Sequence, residues 1–496
     1  MAFLHVSRTR AALILTTLVV VTAGAVSCAE KNRALVVTAV GRAMSDDARQ
    51  KALTERLCGT RPVAACTARS NDVWTDVRAF YQNRGGEPAW VNGRKPGKAA
   101  AVALSAFNRA AEHGLDAEKY GASSLKAEVA RLGDLSSASE KAAEELANFE
   151  TDLTAALLAL GRDVAIGRPG PPPAGVGDRK RTPPDIAARF ASVIDEGDFT
   201  AWPDDVRPAH PQYAALQEAL AKTLAPAIEP AATAATTPAT KQPAAPTPRD
   251  QARALAINLE RWRWMPDDFG ARYVLVNVPS FHLWVIEGQR PVIDSKVIVG
   301  KIGDETPIFS AGMTNVIFSP YWNIPESIAE GETVPSIVKN PAYLAKNNIE
   351  VLKRSGGTVT RVDPASIDWS DASETSEISL RQRPGPGNAL GNIKFLLPNR
   401  NNVYLHDTPT HNLFSKDGRA LSHGCVRVHE PVELAQYVLA DEPKWTEEAI
   451  RKAMNSGDEQ SVKLKAPLPV HIVYFTVWAA PDGSLEFLKD VYGRDR

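Results

Sequence analysis

Between Pro226 and Pro248, 19 of 23 residues are Pro, Ala or Thr, and this stretch separates two regions of different periodicity. A segment so poor in large apolar side chains buries too little surface to offset the entropy of ordering it, so 226–248 reads as a linker. Ahead of it the pattern is helical. Leu146, Phe149, Leu153, Leu157, Leu160 and Val164 recur at three- and four-residue intervals across 139–166, giving one apolar stripe along a helix that Arg168-Pro169-Gly170-Pro171 ends. Shorter helical candidates lie at 96–113, 185–196 and 209–224. After the linker and a helix at 249–264, the period falls to two. Runs at 272–278, 281–287, 291–299, 313–318, 392–397 and 402–406 alternate as half-buried strands do. Glu287-Gly288-Gln289-Arg290 reads as a hairpin turn, and a last hairpin spans 470–489 around Asp482-Gly483. The expected fold class is multi-domain α + β, with a helical scaffold domain over 30–225 and a β-rich domain over 249–490. Within the latter, 325–390 shows two or three short helical pieces around 334–347 and much irregular chain. It reads as an insertion with little core of its own.

The 496 residues carry a net charge of −1, which excludes nucleic acid as a partner, since neutralising phosphates needs a clustered surplus of Lys and Arg. Arg8 and Arg10 precede an apolar stretch from Ala11 to about Ser27, the order of a secretory signal. Residues 1–29 therefore read as a signal peptide, as an uncleaved membrane anchor, or as a lipobox at Ala25-Val26-Ser27-Cys28 that leaves Cys28 lipidated. Each ending exports the bulk of the chain. Cys58 and Cys66 then form a plausible disulfide in an oxidising compartment, and Cys425 stays free.

His406 and the run Ser422-His423-Gly424-Cys425-Val426-Arg427-Val428 carry the chemistry. A thiol attacks a carbonyl well only as thiolate, and a nearby imidazole is the usual means of lowering its pKa. Cys425 is the candidate nucleophile and His406 the candidate base. On strand 402–406, Val403 and Leu405 share one face while Tyr404 and His406 share the other. Glycine before the cysteine lets backbone N–H groups approach a developing oxyanion, so the N–H groups of Gly424 and Cys425 are the expected oxyanion site, with Tyr404 close by. Arg427 alternates with Cys425 and either orients a substrate carboxylate or makes a structural ion pair. His423 shapes the loop or touches substrate. Asp407 is expected to serve structure, because adjacent strand residues point to opposite faces. His406, His411, His423, Cys425 and His429 lack the paired spacing of a zinc site, so no metal and no cofactor is expected.

H-D-T-P from His406, followed by S-H-G-C-V-R-V, resembles the catalytic signature of the L,D-transpeptidases, the YkuD-type cysteine enzymes of bacterial cell-wall assembly. Asn258 to Pro266 (N-L-E-R-W-R-W-M-P), Pro320 to Pro325 (P-Y-W-N-I-P) and Arg381 to Gly391 resemble the large YcbB-like branch of Gram-negative bacteria. The resemblance covers roughly 250–490 and is weak ahead of it. It implies a YkuD-like β-sandwich, with 325–390 as a capping lid whose first residues, Tyr321 and Trp322, either line the donor groove or belong to the core. It implies that a backbone carbonyl near Asp407 orients His406. The implied donor is the tetrapeptide stem of peptidoglycan, attacked at its third residue with release of D-alanine to give 3-3 cross-links; the implied inhibitors are carbapenems. Attachment or detachment of a lipoprotein and L,D-carboxypeptidase action are alternative uses of the same residues. A non-enzymatic wall-binding scaffold would lose the Cys or the His. The implied location is the periplasm, with stem peptides and other cell-wall synthases as partners and the N-terminus at the membrane. The small helical glycan-binding module that relatives often carry before the E-R-W-R-W helix has no counterpart here.

Overall fold

The computed structural model describes residues 28–43, 51, 64–134, 139–168, 184–197, 199, 202–225, 247–355, 358–480 and 482–495. Residues 1–27 of the leader expected at 1–29, Cys58, the side chains of Cys28 and Cys66, and most of the linker lie outside them. The N-terminal region is built around the helix Glu140–Ile166, whose first turn is capped by the Ser139 hydroxyl accepting from the Ala142 N–H at 3.1 Å. The expected stripe is buried, but so is nearly everything else from Phe149 to Ile166. Helices Cys28–Ala43, Ala64–Asn83 and Ile186–Glu196 surround it, bringing Val40, Trp74, Phe80 and Phe190 against it. A helix covered on all sides sits inside a domain rather than on its surface.

The C-terminal region begins its sheet with strands β1 (Arg272–Asn277), β2 (His282–Glu287), β3 (Arg290–Gly300) and β4 (Phe309–Phe318). Gly288 takes a positive φ of 60° in the β2–β3 turn, where Glu287 pairs with Arg290. An insert then supplies β5 (Trp322–Asn323), β6 (Ile349–Ser355), β7 (Thr358–Val362) and β8 (Ile378–Gln382). The main sheet resumes with β9 (Ile393–Leu396), β10 (Leu405–His406), β11 (Ala420–Ser422), β12 (Val426–Val428) and β13 (Gln460–Val473). Its hydrogen-bonded order is β11-β3-β12-β10-β9-β4-β13-β1-β2, and β2 pairs again with β3. The two long strands make this closure possible. Strand β3 pairs with β2 through 290–296 and with β12 through 297–298, so the ladder returns on itself around one core of Val274, Val316, Phe318, Phe395, Leu405, Val426 and their neighbours.

The insert differs from the sequence expectation. Instead of mostly irregular chain it forms a four-stranded sheet, β5-β8-β6-β7, over a small core of Ile324, Ile337, Leu344, Val351 and Leu380. Its strands are short and rich in Thr, Arg and Lys, and every residue from Thr358 to Arg361 is exposed, so alternation there carries little apolar signal.

The helix Pro248–Trp262 joins the two regions. Thr247 and Asp250 close a capping box at its start, and Leu255, Leu259 and Trp262 share one cluster with Tyr213, Leu216 and Leu220 of the helix Pro211–Leu224 and with Tyr273, Leu275 and Phe475 of the sheet region. Beneath this joint Arg263 is buried. It pairs with Glu260 at 2.8 Å and donates to the Tyr213 hydroxyl at 3.0 Å and to the carbonyl of His113. Removing one partner of a buried, hydrogen-bonded charge leaves the others unsatisfied. Arg263→Met is therefore expected to lower unfolding stability in urea by about 3 to 5 kcal/mol; a loss below roughly 1 kcal/mol would show that the arginine does not hold the joint.

Candidate active site

Strand β10 lies parallel to β12, with Leu405 opposite Val426 and His406 opposite Arg427, and antiparallel to β9, with Lys394 opposite His406. Leu405, Val426, Ile393 and Phe395 point into the core and are completely buried. The period of two then puts Tyr404, His406, Cys425, Arg427 and Lys394 together on the other face. The ladder reaches only Leu405; before it Asn402 takes a φ of 53°, and its carbonyl accepts from the Cys425 thiol at 3.9 Å.

His406 is 4% exposed, and its Nδ1 lies 2.5 Å from the carbonyl oxygen of Asp407. A carbonyl only accepts, so Nδ1 carries the proton and Nε2 keeps its lone pair. Burial pushes the imidazole pKa down to about 3, and the Arg427 guanidinium and, more weakly, the Lys394 ammonium push in the same direction. The carbonyls of Asp407 and Leu390 oppose them by favouring the charged ring. The carboxylate of Asp407 faces elsewhere: it accepts from the Asn392 N–H at 2.9 Å, against Gly391, where a Cβ would collide with it. Asp407 thus fixes the turn that brings the Leu390 carbonyl to the ring.

Cys425 is a free, half-buried thiol. Burial raises its pKa, while the Tyr404 backbone N–H, the Lys394 ammonium, the Tyr404 hydroxyl and the Arg427 guanidinium pull it down. Burial thus acts against charge on both groups, lowering the imidazole pKa and raising that of the thiol.

The loop 422–425 is fastened from below. Thr306 donates to the Gly424 carbonyl at 2.8 Å, and Ser422 donates to the Cys425 carbonyl at 2.6 Å. Gly424 has a φ of 107°, a conformation closed to side-chain-bearing residues, and no neighbour lies close enough to forbid a Cβ on space alone. Its N–H donates to the Ser422 hydroxyl at 3.1 Å. That corrects the expected oxyanion site, because the Gly424 donor is already engaged. The Cys425 N–H donates to no such partner among the described residues and remains available.

Two contacts join the insert to this loop. His423 is exposed; its Nε2 lies 2.7 Å from Glu332 of the insert and 3.1 Å from the Lys301 ammonium. Trp322 packs on the insert's core, as one of its two expected roles requires, and also reaches the Tyr404 hydroxyl. Arg427 makes no ion pair among the described residues, and its buried Nε has no acceptor, which removes the structural ion pair considered above. Lys394 escaped the sequence reading, although its alternation with Ile393 and Phe395 marks it as facing away from the core. The carbonyls of Asn402 and Leu390 left no trace at all, since backbone groups carry no residue type.

These strands and this loop lie within residues 271–462, which match the L,D-transpeptidase catalytic domain of the YkuD family; residues 75–220 match the Scaffold domain. The chain thus joins a region similar to the Scaffold domain to a region similar to the L,D-transpeptidase catalytic domain. A Haemophilus influenzae protein named "Putative L,D-transpeptidase" is 36% identical over 242 residues, covering 49% of this chain and 48% of that protein. The chain thus matches about half the length of this relative.

A thiol raised by burial titrates above the ordinary value of about 8.5. Alkylation of Cys425 by iodoacetamide should therefore keep accelerating, by about tenfold per pH unit, from neutrality to beyond pH 8. A plateau reached by neutral pH would show a preformed ion pair instead.

Proposed function

We propose that this chain is a peptidoglycan L,D-transpeptidase that forms 3-3 cross-links through a thioester on Cys425. The observation that carries this reading is a free thiol sharing one strand face with a buried, neutral imidazole whose proton sits on Nδ1, inside an L,D-transpeptidase domain. In the first half-reaction, His406 Nε2 takes the thiol proton as sulfur bonds to the carbonyl carbon of the third stem residue. The oxyanion is met by the Cys425 N–H and the Tyr404 hydroxyl. The C–N bond to the terminal D-alanine breaks, and the imidazolium returns the proton to the leaving amine. In the second, the side-chain amine of a neighbouring stem attacks the thioester, loses its proton to His406, and the C–S bond breaks to restore the thiol.

The insert acts as a lid. It meets the nucleophile loop at His423 through Glu332 and the residue ahead of β10, Tyr404, through Trp322, and exclusion of water favours amine over water as acceptor. Arg427, a guanidinium without a carboxylate partner, orients a carboxylate of the donor peptide. Such substrates place the reaction in the periplasm, where the stretch 11–27 would export or anchor the chain. Incubating the exported protein with tetrapeptide-rich muropeptides should yield dimers joined between two third residues, identified by mass spectrometry. Cys425→Ala should remain folded and form none; normal cross-linking by this variant would remove Cys425 from the mechanism.

A further inference from the structure

Charge around the thiol is unbalanced in a way that the base and nucleophile do not account for. Lys394 lies on β9 in register with His406, on the same face, and its ammonium stands 3.8 Å above the centre of the Tyr404 ring. Among the described residues it has no ion pair and no hydrogen bond; the groups that favour its charge when they themselves ionise are Cys425 and, more weakly, Glu459. A half-buried ammonium without a counter-ion is unfavourable at rest. The π face of Tyr404 offsets part of that cost. The phenol beneath it points its hydroxyl at the Cys425 sulfur, so the cation sits behind the very atoms on which negative charge develops.

His406 cannot supply that charge before the reaction starts, because its burial keeps it neutral. We propose that Lys394, held over Tyr404, is the standing counter-charge of the Cys425 thiolate. This inference rests on the reading of Cys425 as the nucleophile, and nothing in the reaction class assigns the role. The lysine neither donates nor takes a proton. It acts through space on the sulfur and on the Tyr404 hydroxyl, lowering the cost of moving the thiol proton to His406. An ammonium over a ring suits the task better than one in an ion pair, since a carboxylate at that distance would cancel its field at the sulfur.

The test uses the full chain and reads the thiol itself, so it does not depend on the identity of the substrate. Thiolate formation is followed by ultraviolet absorbance against pH, with the Cys425→Ala protein subtracted, and in parallel by iodoacetamide alkylation. Lys394→Met keeps length and removes charge. It should raise the Cys425 midpoint so that alkylation at neutral pH slows by about tenfold, and Lys394→Arg should restore most of the loss. If Lys394→Met misfolds, judged by thermal melting, Lys394→Gln replaces it with the same expectation. An unchanged midpoint overturns the proposal, and an unchanged midpoint with a raised KM for the donor peptide would instead make Lys394 a substrate anchor. Loss of cross-linking activity in every form, with the midpoint shift intact, would count against the transpeptidase reading and leave the role of Lys394 standing.

Discussion

Everything at the site follows from the parallel pairing of β10 with β12. Leu405 and Val426 face each other across that pair and are wholly buried, each stabilising the fold by about 1.5 to 3 kcal/mol relative to exposure. A slip of one residue would turn both outward and carry His406 and Cys425 into the core. The hydrophobic core therefore fixes which face receives the chemistry, and the alternation of the strands delivers Tyr404, His406, Cys425, Arg427 and Lys394 to it together.

The same arrangement sets the electrostatics. The face is deep enough to strip water from His406, so the ring holds its proton on Nδ1 against the Asp407 carbonyl and offers Nε2 as a base. It is shallow enough to leave Cys425 half-buried and reachable. Two cations, Lys394 and Arg427, border the thiol without carboxylate partners. In the proposed reaction the imidazole takes the thiol proton on attack, and the field of these cations lowers the cost of the charge that then appears. The fastened loop contributes rigidity: Thr306 and Ser422 hold the carbonyls of Gly424 and Cys425.

The face was legible in the sequence wherever alternation and residue type agreed. Val403 and Leu405 against Tyr404 and His406 already separated the core face from the other, and the S-H-G-C run located the candidate nucleophile beside a turn that needs glycine. The stripe from Leu146 to Val164 gave the central helix, although not its burial on every side, which depends on helices distant in sequence. Other features were hidden for physical reasons. Lys394 looked like any solvated lysine until β9 was paired with β10. The engagement of Gly424 by Ser422 is a matter of loop geometry. The contact between Glu332 and His423 spans 91 positions, and the insert's sheet hid behind strands whose exposed faces are polar on both sides. The downward push of burial on the His406 pKa was hidden as well, because sequence does not report burial.

The central claim is that Cys425 carries the acyl group between donor and acceptor. Rapid quenching in acid during incubation with a tetrapeptide donor, followed by proteolysis and mass spectrometry of the peptide containing Cys425, addresses it directly. The account predicts an adduct equal to the donor less its terminal D-alanine, attached to the Cys425 sulfur and released by added amine. Turnover of the donor with Cys425 unmodified throughout, or with the acyl group on another residue, would contradict it.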